Sequence, residues 1–250
     1  MSPDHSPSQN LLLGALPAAE LSAMATDLEL VPMALGDMVG EPGKALHHAY
    51  FPITAVVSLH YLTHTGALAE FAGVGHEGMV GIALFMGGDF TPSSAMVQSG
   101  GYGYRLARAP LEQGFARAGP LRSVLLRYTQ MLIAQIGQTA ACYRHHTVEQ
   151  QLSRWLLSTA NRLPSGNLVM THELVAGLLG VRRESISEAA SKLRDGGYIR
   201  YRRGHISILD PAGLEKRACE CHAVVNAESQ RLLPRALPPA DSAHRQLNPI

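Results

Sequence analysis

The segment from Pro120 to His145 most constrains the fold, because almost nothing in it interrupts a helix. After Pro120 it contains no further proline and a single glycine, Gly137. A helix of about 25 residues spans about 38 Å, which is too long to pack fully on a small sandwich. Its seam positions recur at alternating steps of four and three, as in a two-stranded coiled coil. We predict a homodimerisation helix, and the alternative is a helix packed on its own domain. The seam comprises Leu121, Leu125, Tyr128, Leu132, Gln135 and Thr139.

The chain before this helix has the pattern of an antiparallel β structure. Residues 53–62 alternate mostly with period two, Thr65-Gly66 is typical of a turn, and residues 67–74 form a returning strand. Glycines are then frequent up to Gly103, which is typical of short strands joined by turns. Residues 11–30 have helical spacing after a loose polar arm. We therefore predict an α+β chain with an N-terminal, jelly-roll-like β-roll over residues 11–115.

Residues 171–209 have the pattern of a winged helix-turn-helix. Thr171 is a good N-cap for a short helix that Gly180 ends, because glycine adopts a left-handed conformation at little cost. A second helix begins at Arg182, and a hairpin with a basic tip follows it. This order of helix, turn, helix and hairpin is found in DNA-binding domains. We predict the boundaries as a dimerisation helix over 116–145, a DNA-binding domain over 146–217, and a C-terminal helix with a flexible tail over 218–250.

The start of the second helix carries two arginines, which a purely structural reading leaves unexplained. The helix dipole disfavours cations there, and the usual Ser, Thr or Asp cap is missing. Phosphates and base acceptors of DNA would compensate for both the unfavourable charge and the missing cap. The alternative is that the two arginines lie on a solvated surface. Arg183, Glu184 and Ser187 suit base edges, and Glu188 either faces a cytosine or pairs with Arg182 or Lys192. The predicted DNA-binding residues are Thr171, Arg182, Arg183, Glu184, Ser185, Ser187, Glu188, Lys192, Arg202 and Arg203.

Charge is distributed unevenly along the chain. Residues 1–143 hold 6 Lys/Arg against 10 Asp/Glu, whereas residues 144–217 hold 12 against 7. The overall net charge of +1 hides this asymmetry. A basic segment beside an acidic one favours a nucleic-acid partner, here double-stranded DNA.

The cysteines and the hydropathy bear on location. Cys142, Cys219 and Cys221 are too few for a disulfide framework, which favours a reducing cytoplasm. No stretch approaches the roughly 20 apolar residues that span a bilayer, and the N-terminus lacks a signal-peptide pattern. We expect a cytoplasmic chain without a membrane partner.

Residues 211–233 are predicted to be one helix, on which Cys219 and Cys221 would not face each other. We expect no metal there, a redox or metal role being the alternative.

The sequence resembles the Crp/Fnr family of bacterial regulators over about residues 20–217. Three stretches carry the resemblance: residues 181–187 resemble the start of the family's recognition helix, while residues 51–59 and 75–81 resemble its β-roll. The resemblance implies a cyclic-nucleotide-binding-like β-roll, a long dimerisation helix, and a winged helix that binds palindromic operators. It implies a transcription regulator with Arg183 and Glu184 as base readers and RNA polymerase as a partner. Several members carry arginine where this chain has Glu188.

The positions that bind cyclic AMP in some members of the family carry different residues in this chain. Their glutamate and arginine are replaced here by Ile82 and Ser93, and their hydroxyl pair on the long helix falls near Ile136 and Gly137. A buried phosphodiester without a cation is costly, so we predict a regulator that does not depend on cyclic AMP. The candidates for another ligand are Gly81, Ser93 and Ser94, and a purely structural roll is the alternative.

Metal cofactors are also disfavoured by the sequence. Iron–sulfur clusters are generally held by four cysteines, and no cysteine precedes Cys142. His76 lies in a glycine-rich turn, where an ordinary turn histidine is favoured over a haem ligand. His145-His146 is predicted to be the hinge into the DNA-binding domain. We therefore expect no cofactor.

Two other functions compete with DNA binding. One is a ligand-binding signalling module with weak or no DNA binding. The other is a cupin-type metalloenzyme, because His60 and His64 would share a strand face. That face is predicted to point away from the core, and no phosphate-binding, dinucleotide or nucleophile motif is present. We predict that the chain is not an enzyme.

Overall fold

The computed structural model describes residues 5–163, 167–202 and 204–233. Its first elements are shorter than the helical segment predicted over residues 11–30. A 3-10 turn at Pro7–Gln9 precedes α1 (Leu11–Gly14) and α2 (Ala18–Met24), and β1 (Leu28–Met33) follows. The predicted helix ran too far because Leu28–Met33 pairs with a distant strand, residues 101–106, which no local pattern reveals.

The polar residues before α1 are also more ordered than the predicted loose arm. Asn10 is fully buried, and its side-chain amide donates to the carbonyls of Pro52 (2.9 Å) and Gly78 (2.8 Å). Its Oδ1 accepts from the amides of Leu12 and Leu13 and so caps α1. One side chain therefore ties the chain start to the β-roll.

The N-terminal half is an antiparallel β-roll, as predicted. Its described strands pair antiparallel in two sheets. One has the order β1, β7 (Gly101–Ala107), β3 (His48–Pro52), and the other has the order β2 (Met38–Gly40), β6 (Ser94–Ser99), β4 (Val56–Leu62), β5 (Leu68–Val74). Gly66, with φ +82°, lies in the predicted turn between β4 and β5. The roll also contains α3 (Ala83–Met86) and α4 (Arg108–Ala116).

Strand β4 does not have the single wet face that its sequence suggested. Ser58 and His60 are both buried, with His60 only 5% exposed, so the prediction that His60 points away from the core is wrong. Burial lowers the pKa of His60. His64 lies in the exposed hairpin turn. The two histidines occupy different environments, which removes the observation that favoured a cupin-type metal site.

Helix α5 (Pro120–His145) has the predicted length but turns the predicted seam inward. Leu121, Leu125 and Leu132 join the core of the β-roll, and Tyr128 and Gln135 are buried as well. The Tyr128 hydroxyl donates to the carbonyl of Met79 at 2.8 Å, and the Gln135 amide donates to that of Gly73 at 3.3 Å. The prediction that these five residues form the dimer interface is wrong, because they are covered by their own chain.

The C-terminal half is built around a second hydrophobic core, which includes Leu156, Val175, Leu179, Ile186 and Leu193. Strands β8, β10 and β9 form a three-stranded sheet in that order. The elements are α6 (Val148–Ala160), β8 (Asn167–Val169), α7 (His172–Leu179), α8 (Arg183–Asp195), β9 (Ile199–Arg202), β10 (His205–Ile208), α9 (Pro211–Arg217) and α10 (Cys221–Leu232). With α5, this confirms the predicted fold class.

The helix predicted over residues 211–233 is interrupted. Ala218 adopts an extended conformation and ends α9, and α10 begins at Cys221 and packs against α5. Cys219 therefore leaves the helical path. The predicted tail beyond residue 233 lies outside the described residues. Over residues 5–163, 167–202 and 204–233, no helix combines the length and hydropathy needed to cross a bilayer.

Candidate nucleic-acid interface

The turn between α7 and α8 forms as its sequence predicts. The Thr171 hydroxyl accepts from the amide of Leu174 at 3.1 Å and caps α7. Gly180 ends α7 with φ +67°, a left-handed conformation that strains residues with a Cβ atom. The Val181 amide then donates to the carbonyl of Ala176 at 3.0 Å. These contacts fix where α8 starts.

Helix α8 presents its charged start outward. Ile186, Ala189, Ala190 and Leu193 are buried against the domain core, whereas Arg182, Arg183 and Glu184 are exposed. Arg182 is the N-cap residue, and within the described residues no side chain caps the first turn. The Ser185 and Ile186 amides donate to the Arg182 carbonyl, so the Arg183 and Glu184 amides are the ones available to an anion.

Contacts between three elements gather the predicted residues on one surface. Arg183 Nε lies 3.8 Å from a carboxylate oxygen of Glu173, which joins the starts of α8 and α7. His172, the first residue of α7, contacts Ser187 Oγ at 3.0 Å and stacks on the Tyr201 ring of β9 with centroids 4.3 Å apart.

The tip of the wing is tied to the same surface. The Met170 amide, just before Thr171, donates to the carbonyl of Gly204 at 2.6 Å. Helix starts and wing therefore form one continuous face. Arg203 belongs to this wing by sequence but lies outside the described residues.

The structure refines three of the predicted roles. The half-buried Ser187 hydroxyl contacts His172, so its capacity for base contacts is partly used within the protein. Glu188 pairs with Lys192 at 2.8 Å, which selects one of the alternatives left open by the sequence. The hydrogen bond from Lys192 lowers the pKa of Glu188. Ser185 is half-buried behind the exposed Arg182 and Glu184.

His172 and its neighbours were missed by sequence reasoning. Burial and then the Arg183 charge lower the pKa of His172, and its Nε2 has no hydrogen-bond partner within the described residues. Arg200, Arg202, His205 and Ser207 line a groove of about 440 Å³ on the wing, of which we predicted only Arg202. Arg200 and Arg202 are two residues apart on a strand and so share a face, a signal that was available.

The candidate ligand residues lie in two parts of the β-roll, Gly81 beside β3 and the pair Ser93-Ser94 at the start of β6. Gly81, with φ +102°, packs beside His48 and Ala49 at β3. Ser93 donates from its hydroxyl to Thr91 Oγ1 at 3.3 Å, and Ser94 is buried in the other sheet. The ligand site remains a prediction.

Polar contacts hold the DNA-binding domain against the β-roll. Arg162, after α6, pairs with Glu77 at 2.6 Å, and Trp155 Nε1 donates to Glu70 at 2.8 Å. Burial alone would raise the pKa of Glu77, but the Arg162 charge and hydrogen bond lower it below its usual value. Burial raises the pKa of Glu70. These contacts join the β-roll directly to α6 and to the residue that follows its C-cap.

The three cysteines, of which Cys219 and Cys221 were not expected to bind a metal, meet at the end of α5. Cys142, Cys219 and Cys221 are buried together, and Cys142 Sγ lies 3.5 Å from Cys219 Sγ. His146 Nδ1 lies 3.5 Å from Cys221 Sγ. Burial raises the pKa of Cys142, and it raises that of Cys219 to about 12. Within the described residues, these four form a group whose ligand atoms could hold a metal ion, so the expected absence of a metal is not confirmed.

Comparisons with known proteins agree with this architecture. Residues 150–217 match the family model of the Crp-like helix-turn-helix domain. A CRP-family transcriptional regulator from Thermus thermophilus is 19% identical, with a TM-score of 0.62 over 75% of this chain and 96% of that one. FixK2 from Bradyrhizobium japonicum is 15% identical, with a TM-score of 0.64 over 77% and 98%.

A third similar structure is the c-di-GMP responsive global regulator CLP of Xanthomonas campestris. It is 16% identical, with a TM-score of 0.62 over 77% of this chain and 99% of that one. No curated protein sequence matches the chain. At these identities the similarity to solved structures establishes the fold, and the family-model match establishes the type of DNA-binding domain.

Proposed function

We propose that this chain, whose fold and DNA-binding domain are those of the Crp/Fnr family, is a non-enzymatic transcription regulator that reads DNA sequence. One observation carries the proposal: the start of α8 exposes Arg182, Arg183 and Glu184 without a side-chain cap among the described residues. Arg183 can pair with guanine and Glu184 can accept from cytosine in a major groove. Thr171 and Arg202, on the adjoining elements, suit phosphates.

We further propose that two copies bind one palindromic operator. Helix α5 carries a second heptad stripe, which faces away from its own β-roll. Leu126 is 49% exposed and Ile133 is 62% exposed, and within the described part of the chain Gly137 has open space where a Cβ atom would be. Large apolar residues followed by small ones at this spacing suit a partner helix. The stripe comprises Leu126, Gln130, Ile133, Gly137 and Ala140.

The dimer would place two α8 helices about one DNA turn apart, at ~34 Å. RNA polymerase is the further partner that the family implies, and the cytoplasm is the compartment we propose.

We propose that cyclic AMP is not the effector. Ile82 and Ser93 occupy the positions of the family's phosphate-binding glutamate and arginine, and Ile82 packs against the hydrophobic core. A roll without that arginine has lost the cation that neutralises a buried phosphodiester. The CLP regulator, with the same fold, responds to a different nucleotide, so the fold does not fix the ligand.

The test is DNA binding by the full chain, using a duplex selected by the protein from a random-sequence library. Arg183→Ala should weaken binding to the selected duplex by about 1–3 kcal/mol, and binding to scrambled DNA by less. Arg202→Ala should weaken both duplexes alike and reduce the salt slope by about one. Arg194→Ala, at the far end of α8 and paired with Asp195, is the matched control and should change neither.

Two outcomes would contradict this proposal. Equal losses on selected and scrambled DNA for Arg183→Ala would remove its base-reading role. If the wild-type chain binds no duplex above background, the ligand-binding signalling module is the better description.

A further inference from the structure

We propose that Cys142, His146, Cys219 and Cys221 form a structural Zn²⁺ site that joins the end of α5 to the start of α10. Three thiols and one imidazole are an established ligand set for structural zinc. The inference concerns a second site, apart from the DNA-binding surface, and does not depend on the proposed function.

The distances between the ligand atoms fit one tetrahedral ion. All four lie within 4.8 Å of one another. A tetrahedral Zn²⁺ with Zn–S bonds of about 2.3 Å separates its sulfur ligands by about 3.8 Å. The Cys142–Cys219 sulfurs and the Cys221–His146 pair, each 3.5 Å apart, are close to two edges of such a tetrahedron. The remaining edges need to contract by at most about 1 Å.

The ligands come from three segments that packing brings together. Cys142 lies in the last turn of α5, and His146 is the residue that ends this helix. Cys219 lies in the break between α9 and α10, and Cys221 is the first residue of α10. The three cysteines are buried, so four protein ligands would close the coordination sphere, as in structural rather than catalytic zinc sites.

Groups around the ligands are arranged to support them. A Glu220 oxygen lies 3.2 Å from His146 Nε2, which orients the ring so that Nδ1 faces the sulfurs. Such a carboxylate–histidine pair is the usual outer shell of a zinc-binding histidine. The Gln138 amide donates to Cys221 Sγ at 3.1 Å.

The charge of the centre is also matched by its surroundings. Three thiolates and one Zn²⁺ sum to one negative charge. The Arg154 guanidinium is buried, lies beside Cys142, and stands 5.8 Å from the centroid of the Tyr143 ring. This buried cation next to the centre would offset its negative charge.

The chemistry favours zinc over other thiophilic metals. Thiolates select Zn²⁺, Cu⁺ and iron–sulfur clusters. A mixed set of sulfur and nitrogen ligands around one point suits a single tetrahedral ion, whereas a multi-iron cluster holds its ligands further apart. The ion would clamp the hinge between α5 and α6 and hold α10 in place. It would therefore fix the direction in which the DNA-binding domain leaves α5.

The experiment measures metal on the full chain, purified under reducing conditions. Elemental analysis should find one Zn²⁺ per chain. Titration of the metal-free protein with Co²⁺ should give the charge-transfer and strong visible bands of tetrahedral thiolate coordination, and Zn²⁺ should remove them. Less than stoichiometric zinc together with octahedral Co²⁺ spectra would overturn the proposal. So would a Cys142–Cys219 disulfide in the reduced preparation, or a copper or iron content that exceeds zinc.

Variants at the adjacent histidines provide the matched comparison. His146→Asn should weaken Zn²⁺ binding at least about tenfold and alter the Co²⁺ bands, while His145→Asn, next to it but exposed, should leave both unchanged. Glu220→Gln should weaken binding by about 10- to 100-fold. Cys219→Ser should abolish stoichiometric binding.

Equal affinities for the His146→Asn and wild-type chains would overturn the assignment. If Cys219→Ser fails to fold, the Co²⁺ spectra of the wild-type, His146 and His145 chains still decide. Because no DNA is present, the result is independent of the operator-binding test.

Discussion

The helix-turn-helix and helix α5 were both predicted from periodicity, yet only the first was assigned to the correct surroundings. In the helix-turn-helix, Thr171 caps α7, Gly180 ends it, and the apolar stripe of α8 packs within a few turns of chain. In α5, the apolar stripe was correctly located, but its covering comes from β-strands far away in sequence. Periodicity identifies which face of a helix is buried. It identifies the residues that cover that face only when they lie close by in the sequence.

Helix α5 shows this difference because it carries two apolar stripes. The stronger one, which includes Leu125 and Tyr128, completes the core of its own β-roll. The weaker one, which includes Leu126 and Ile133, remains exposed and is our proposed dimer surface. A helix between a domain and a partner needs both, and the more continuous apolar stripe belongs to the core.

The neighbouring leucines of α5 provide the largest expected difference between its two faces. Leu125 is fully buried, so Leu125→Ala should reduce the free energy of unfolding by about 2–5 kcal/mol through lost burial and a cavity. Leu126→Ala, on the exposed face, should change the stability of the protomer by less than about 0.5 kcal/mol. Denaturant titration at a protein concentration low enough to keep the chain monomeric measures both without a contribution from dimerisation. Similar losses for the two variants would mean that the faces are not distinct.

A charge on the exposed stripe should separate dimerisation from folding. Ile133→Glu would bring two carboxylates together in the proposed seam and should cost about 2–4 kcal/mol of dimerisation free energy. Leu62→Glu is the matched control, because Leu62 is 63% exposed at the end of β4, against 62% for Ile133. Sedimentation equilibrium should show a shift toward monomer for the first variant only. A wild-type chain that is monomeric at micromolar concentration would exclude this interface.

Gly177 inside α7 and Gly180 at its end test whether the helix-turn-helix depends on local backbone conformation. These substitutions have the smallest expected effect. Gly180→Ala forces a residue with a Cβ into the left-handed conformation and should destabilise the domain by about 1–2 kcal/mol. Gly177→Ala, inside the helix and with open space among the described residues, should stabilise it by about 0.5–1 kcal/mol. Thermal unfolding distinguishes the opposite signs. If Gly180→Ala loses no stability, the turn does not depend on the left-handed conformation of residue 180.

Much of the fold and of the DNA-binding face could be predicted because their determinants are local. Caps, turn glycines and helix periods lie within ten or so residues of the structure they specify. The contacts that were missed join residues far apart: Arg162 with Glu77, and Cys142 with Cys219. The cysteines were missed for a second reason, since the break at Ala218 was not foreseen and the pair was placed on one helix.

Strand β4 shows a different limit of sequence reasoning. Its alternation suggested one wet face, but Ser58 and His60 are buried, and Glu70 on the neighbouring strand β5 bonds to Trp155 of α6. A sheet covered on both sides can bury polar residues when other elements supply their partners. Trp155, the partner of Glu70, lies 85 residues further along the chain, where no pattern in β4 or β5 points to it.

The most direct test of the central claim, that α8 reads bases from two chains on one duplex, is methylation interference. Methyl groups on guanine N7 block the major-groove contact of an arginine. On a duplex selected by the protein, we expect interfering guanines in two half-sites about 10 base pairs apart. The interference at one position of each half-site should disappear in Arg183→Ala and persist in Arg194→Ala. Interference at a single site, or a pattern unchanged by Arg183→Ala, would contradict the account.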